Sequence, residues 1–183
     1  LVDDGLIVRR RGIGSQVVHG QVTRGMELTS LYDDIQRGGS KAETTVVSFG
    51  NNPANAHVAQ SLGVPTGTLV TEAIRIRYAD KVPMAVLHNW IPHSIGTLTK
   101  DELDAKGLYQ ILRERGFVPQ VGKQRISARK VTQAEASELD IESGAAVLTM
   151  ERTAYDSMGR AIEHGEHIYR TDLYSLEFTV VNK

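Results

Sequence analysis

An internal repeat constrains this chain more than any other feature. AQSLGVPTGTLVTEAIRIRY (residues 59–78) and ASELDIESGAAVLTMERTAY (residues 136–155) align with an offset of 77 residues. Ala59, Leu62, Gly67, Val70, Arg75 and Tyr78 meet Ala136, Leu139, Gly144, Val147, Arg152 and Tyr155. Each copy opens with a short helical pattern, passes a glycine turn and enters a long strand. The strand reverses through Ala79-Asp80-Lys81 in one copy and Asp156-Ser157-Met158-Gly159 in the other, into a partner strand. Two such hairpins belong in one antiparallel sheet. Between them, GLYQILRERG (107–116) sets Leu108, Ile111, Leu112 and Arg115 at helical spacing and stops at Gly116, so a helix covers one sheet face. The predicted class is α+β: a mainly antiparallel sheet with packed helices, built from two hairpin repeats.

The chain's 183 residues suffice for one main core and an appendage. Lys and Arg number 21 against 22 Asp and Glu, so no whole-chain basic field points to nucleic acid or a membrane. With no cysteine, disulfides, thiolate zinc sites and cysteine nucleophiles are excluded. No apolar run approaches the ~18 residues of a membrane span, and no leader pattern is present. These features predict a soluble, cytoplasmic protein. The opening LVDDGLIVRR reads as the middle of an element, which implies a longer parent protein. We read residues 1–18 as a basic-tipped hairpin and 19–44 as a polar, glycine-rich linker with one apolar grouping, LTSLYDDI (28–35). Residues 45–183 form the body.

Arg75 and Arg77 stand two apart on a strand and share one face, while Ile74, Ile76 and Tyr78 share the other. A solvated strand face is the ordinary reading of Arg-x-Arg. However, two adjacent guanidiniums repel unless an anion lies between them, and their forks suit a carboxylate or phosphate. The same alternation applies to AIEHGEHIYR (161–170), dense in histidine and glutamate. Glu163, Gly165, His167 and Tyr169 fall on one face; His164, Glu166, Ile168 and Arg170 fall on the other. A joint zinc site of His164 and His167 is therefore disfavoured, and no metal or other cofactor is expected. Glu163 and His167 sit about 13 Å apart by strand rise, too far for a direct acid–base pair. No nucleophile elbow or phosphate-binding glycine loop is present, so an enzyme is not expected. The one concentrated basic patch is Arg9-Arg10-Arg11 beside Gly12-Ile13-Gly14. It is either a solvated hairpin tip or a DNA wing, with cations for phosphates and a narrow tip for the minor groove.

Taken in order, these stretches resemble a known family. GLIVRRRGIGSQVV is similar to the wing of the winged helix-turn-helix in GntR-type bacterial transcription regulators. RIRYADKVPMAVLHNWIP, GLYQILRERG, LTMERTAYDSMGRAIE and HIYRTDLYSLEF resemble the effector-binding UTRA domain of their HutC group. The resemblance implies a chorismate-lyase-like fold used for binding, a homodimer, and operator DNA bound through an N-terminal domain largely outside this sequence. It places the effector's anionic group on Arg75 and Arg77, with Tyr109, Glu163 and Tyr169 as further contacts. Arg9, Arg10, Arg11, Gly12 and Gly14 become the DNA-contacting residues. Two positions depart from the pattern of sugar-phosphate-binding relatives: Gly107 replaces a serine, and Leu87 replaces a glutamate. The first loses a hydroxyl donor, although backbone amides at a helix start can hold an anion. The second makes one wall apolar, where His88 and Trp90 are candidate lining residues and His167 a candidate neighbour. The expected effector is a small anion. A lyase-like enzyme and a ligand-free dimerisation module are the alternatives.

Overall fold

A computed structural model of the chain describes residues 8–10, 14–16, 22–24 and 28–177. Three short strands come first: β1 (Val8–Arg10), β2 (Gly14–Gln16) and β3 (Val22–Arg24). Helix α1 (Leu31–Arg37) and strand β4 (Ala42–Pro53) follow. The first repeat copy supplies α2 (Ala56–Leu62), β5 (Leu69–Ala79) and β6 (Val82–Pro92). A 3-10 turn at His93–Ile95, α3 (Lys100–Ala105), α4 (Leu108–Glu114) and β7 (Val121–Lys130) lead to the second copy. That copy is α5 (Gln133–Leu139), β8 (Ala146–Tyr155) and β9 (Ala161–Arg170); β10 (Tyr174–Leu176) closes the described chain.

The repeat holds to the residue. Helices α2 and α5 begin and end at equivalent positions, and β5 and β8 begin at equivalent positions. Strands β4 to β9 form one sheet ordered β4-β5-β6-β9-β8-β7, every neighbour antiparallel, so the two copies are related by a pseudo-twofold axis between β6 and β9. Local chemistry explains the matched helices. Asn55 caps α2 by accepting from the Val58 amide, and Thr132 caps α5 in a capping box with Glu135. Both helices end on a left-handed residue, Gly63 in one copy and Asp140 in the other.

Helices cover both sheet faces. On the face carrying Arg75 and Arg77, α3 and α4 bury Leu103, Leu108, Ile111 and Leu112 against Ala73, Ile91, Ala154 and Ile162. On the other, α5 buries Ala136 and Leu139 against Ile76, Val86 and Ile168, while α2 packs Val58 and Leu62 on Val70 and Trp90. Helix α1 lies within the stretch read as a linker, yet Leu31 and Ile35 are buried with Met84, Leu87, Tyr169 and Tyr174. Ser30 caps it, Asp33 and Asp34 occupy its first turn, and Arg37 its last, matching the helix dipole at both ends. The sheet begins at Ala42, ahead of the expected boundary at 45. Backbone pairing joins β1 to β2 antiparallel, Arg9 opposite Ser15 and Arg10 opposite Gly14, in the region read as a hairpin. Arg11 and Gly12 lie outside the described residues. No helix among the described residues is long and apolar enough to cross a membrane.

Candidate functional site

Strand alternation on β5 turns Arg75 and Arg77 toward α1 and α4, where both are 2% exposed. From β8, Arg152 joins them at 4% exposure. Across from these three guanidiniums stands one fully buried carboxylate, Glu163 of β9. Asn89 of β6 connects the two sides: its amide oxygen accepts from Arg75 Nη2 at 2.7 Å, and its amide nitrogen donates to Glu163 Oε1 at 2.6 Å. The same nitrogen donates to His167 Nε2 at 3.0 Å. His167 Nε2 is then the acceptor, which leaves Nδ1 to donate to the Tyr169 hydroxyl at 3.0 Å. Tyr109, on α4, donates to Glu163 Oε2 at 3.3 Å and lies under the Arg152 guanidinium, 5.0 Å from ring centroid to Cζ.

The structure thus brings Arg75, Arg77, Tyr109, Glu163, His167 and Tyr169 together, all around one small cavity of about 30 Å³. Strand rise separates Glu163 from His167, but the two share Asn89 as a partner. Gly165 between them carries no side chain, so both lean over it onto Asn89. Leu87 supplies the expected apolar wall.

His88 does not join the site, which corrects the expectation from sequence. Leu87 stands opposite Arg75 and His88 opposite Ile74, so alternation carries His88 to the far face. There its Nε2 meets Glu72 Oε1 at 2.5 Å, its ring stacks on Trp90, and it borders a separate groove of about 580 Å³. Trp90 is a core residue against α2. Gly107 is the N-cap of α4, and the Tyr32 ring sits against it: an added Cβ would meet Tyr32 Cβ at 3.1 Å. Its missing side chain makes room for Tyr32.

Sequence reasoning missed Arg152, Asn89 and Tyr32. Arg152 was signalled by the repeat, where it is the mate of Arg75. Asn89 follows from parity with Leu87 once the β5–β6 register is known. Tyr32 carried one weak signal, its place in the apolar grouping LTSLYDDI, which does not say where on the sheet that segment packs.

Electrostatics define what the cluster lacks. Burial pulls Arg75 down to about 10, with Glu163 and Tyr169 opposing. Burial, then repulsion from Arg75, pulls Arg77 down to about 9. Both remain cations at neutral pH. For Arg152, burial acts downward but the nearby Tyr109, Glu163 and Tyr169 outweigh it, and its pKa is raised. Burial raises Glu163 despite the opposing pull of Arg152, Asn89 and Arg75. The guanidiniums also retain unmatched donors. Arg75 bonds Asn89, Arg77 bonds Thr44, and Arg152 bonds the Thr29 carbonyl at 3.3 Å. Arg75 Nε and Nη1, Arg77 Nε and Arg152 Nε have no hydrogen-bond partner among the described residues. Helix α1 closes the cluster from outside, with the Tyr32 ring 4.8 Å from Arg77 Cζ.

Comparison with known proteins gives a consistent answer. The UTRA domain model matches residues 37–175. The chain is similar to the HTH-type transcriptional repressor NagR of Bacillus subtilis (strain 168), 27% identical over 177 residues, spanning 96% of this chain and 73% of NagR. It is 30% identical over 177 residues to the HTH-type transcriptional regulator GgaR of Escherichia coli (strain K12), spanning 95% and 69%. Among solved structures, a putative transcriptional regulator from Streptomyces coelicolor shares 39% identity at TM-score 0.72, covering 79% of this chain and 97% of that one. PhnF from Mycobacterium smegmatis superposes at TM-score 0.82 with 22% identity, over 100% and 81% of the two chains. The curated relatives are named as repressors and regulators rather than enzymes. The chain belongs to the UTRA-domain family of GntR-type transcriptional regulators.

Proposed function

We propose that this chain is the effector-binding and dimerisation part of a bacterial, HutC-type DNA-binding regulator that works in the cytoplasm. Its effector is a small anionic metabolite held by Arg75, Arg77 and Arg152, with Tyr109, Glu163, His167 and Tyr169 fixing orientation. One observation carries the reading: among the described residues three buried guanidiniums share one fully buried carboxylate, Glu163, with only the partly exposed Asp33 acting on Arg77 from α1, and they retain donors that no described residue satisfies. An unmatched buried donor is costly, and an anionic fork restores the match. A ligand-free dimerisation module would instead pair these arginines with internal carboxylates, and their bonds go to Asn89, Thr44 and a backbone carbonyl.

The coupling to DNA follows from α1. A cavity of about 30 Å³ has the volume of one water molecule. A metabolite therefore enters only as Tyr32 and α1 move off Arg77 and Gly107. Since α1 lies within the 19–44 stretch that follows residues 1–18, which we read as the wing, its displacement is felt at the DNA-binding heads. Ligand and operator then bias two states of one element, which makes their coupling reciprocal. Arg9, Arg10, Arg11, Gly12 and Gly14 contact DNA in this scheme, and a twofold homodimer reads an inverted-repeat operator.

A thermal-shift panel of sugar phosphates, amino acids and aromatic acids tests the site, because a specific ligand raises the midpoint by mass action. We expect at least one anion to raise the midpoint, and the double variant Arg75→Ala/Arg77→Ala to lose that response. An unchanged response in the double variant refutes the site.

A further inference from the structure

The face opposite the arginine cluster carries a second group of polar residues that the effector site does not use. His164 of β9 is fully buried. Its Nδ1 lies 3.0 Å from Thr153 Oγ1, and its Nε2 has no hydrogen-bond partner among the described residues. That nitrogen points toward Glu166, whose Oε1 is 3.9 Å away. From α2, His57 Nε2 reaches the same Oε1 at 3.3 Å and Glu151 Oε1 at 3.5 Å. The ligating atoms of His57, His164 and Glu166 all lie within 4.8 Å of one another. Strand pairing puts Glu151 directly opposite Glu166; Arg125 Nη1 lies 3.7 Å from the far oxygen of Glu151, while the near oxygens of both glutamates turn toward His57.

We propose that His57, His164 and Glu166 bind a divalent transition-metal ion of the zinc type, with Glu151 or water as the fourth ligand. Two nitrogens and one carboxylate oxygen suit zinc rather than magnesium or calcium, which demand mainly oxygen donors. Tetrahedral ligand atoms at zinc distances stand roughly 3.3–3.5 Å apart. Two of the observed separations are already there, and the others close by side-chain rotation. His57 and Glu166 are free to rotate, their side chains being 52% and 48% exposed. His164 is the fixed ligand. In the tautomer the ion would select, Nδ1–H donates to Thr153 Oγ1 and Nε2 presents the bare lone pair a metal requires. The exclusion reached from sequence concerned His164 with His167, which do point apart; the partner of His164 comes from α2 instead. Because α2 belongs to the first repeat copy and His164 and Glu166 to the second, the ion would clamp the two halves together.

The test is titration of the metal-stripped chain with zinc chloride, followed by calorimetry and thermal melting, with cobalt(II) absorption reporting four-coordinate geometry. We expect saturable one-to-one binding and a midpoint raised by roughly 5–10 °C at a hundredfold excess over Kd. Magnesium should give no shift. His57→Ala and Glu166→Gln should each weaken zinc binding by about 10-fold or more, while His93→Ala, at an exposed histidine bonded to Asn51, should leave it unchanged. Because His57 is half exposed, its variant keeps the fold even where a change at buried His164 does not. Absence of saturable binding at about 100 μM zinc, or binding unaffected by His57→Ala and Glu166→Gln, overturns the proposal. In that outcome His57 is only a polar neighbour of the two glutamates.

Discussion

Replacing Gly165 with alanine is the sharpest probe of the polar network, because the backbone permits the change and only the network opposes it. Gly165 sits in mid-sheet, paired with Arg152 on one side and Asn89 on the other, and is not among the positive-φ glycines. A Cβ there would stand 2.5 Å from Glu163 Oε1, 2.5 Å from His167 Nε2 and 2.9 Å from Asn89 Nδ2. All three are buried side-chain atoms of one hydrogen-bonded set, so making room breaks the Asn89 bonds to Glu163 and His167. Each buried group left unsatisfied costs about 1–3 kcal/mol. Set against ~0.5–1 kcal/mol gained by restricting the unfolded chain, the net loss is about 2–4 kcal/mol. For a chain of this size that lowers the melting midpoint by roughly 4–15 °C. Calorimetric melting of Gly165→Ala measures this, with Gly50→Ala as control, since a Cβ at that strand position meets nothing nearer than 4.0 Å. The thermal-shift response to the anion panel should vanish with the network. A Gly165→Ala protein that melts within about 2 °C of the parent and keeps its response refutes the convergence of Glu163 and His167 on Asn89.

Three further outcomes are expected. Burial raises Glu163 above its ordinary carboxylate value, so between that value and the raised one the folded chain holds a proton that the unfolded chain has lost. Stability should then fall as pH rises through this window, and Glu163→Gln should flatten the slope in pH-dependent denaturation; an unaltered slope counts against a raised Glu163. Tyr32→Ala removes the ring over Arg77, worth about 1–2 kcal/mol to the closed state. Whichever panel anion scores should then act at about 5–30-fold lower concentration, and equal or weaker binding would contradict closure by α1. Asp140 adopts φ 50° where its repeat mate Gly63 adopts φ 67°. Asp140→Gly should therefore stabilise by about 0.5–1 kcal/mol in urea unfolding, and a loss of stability would show that the aspartate side chain contributes more than its backbone costs.

What was legible in the sequence was whatever depended on period and repeat. Two hairpins, the helix at 107–116 and the face-sharing of Arg75 with Arg77 and of Glu163 with His167 and Tyr169 all follow from period-two alternation within single strands. What required register between strands was not legible. His88 was placed on the wall that Leu87 alters, yet Leu87 pairs with Arg75 and adjacent residues of a strand face opposite ways. Alternation alone therefore excluded His88, whereas Asn89 did need the β5–β6 register. Arg152 is a different case, since the repeat had already aligned it with Arg75. Leu31, Tyr32 and Ile35 fold a polar stretch back onto the sheet through long-range packing that local composition does not encode.

A repeat with twofold symmetry builds an asymmetric site because the cluster lies on the pseudo-twofold axis. Arg75 pairs with Leu87 and its mate Arg152 with Gly165, so Leu87 and Gly165 are equivalent positions. By the same register Asn89 is equivalent to His167, and Ala85 to Glu163. Asn89 and His167 therefore meet across the axis, 3.0 Å apart, as two halves of one position. At each remaining pair one copy supplies bulk or charge and the other a residue small enough to admit it: Glu163 against Ala85, Leu87 against Gly165. Two glutamates at the axis would cancel two of the three guanidiniums and remove the electrostatic reason to bind an anion. Two leucines would fill the space over which Glu163 and His167 converge. The surplus of positive charge thus depends on the two copies having diverged at these central positions while keeping Arg75 and Arg152 alike.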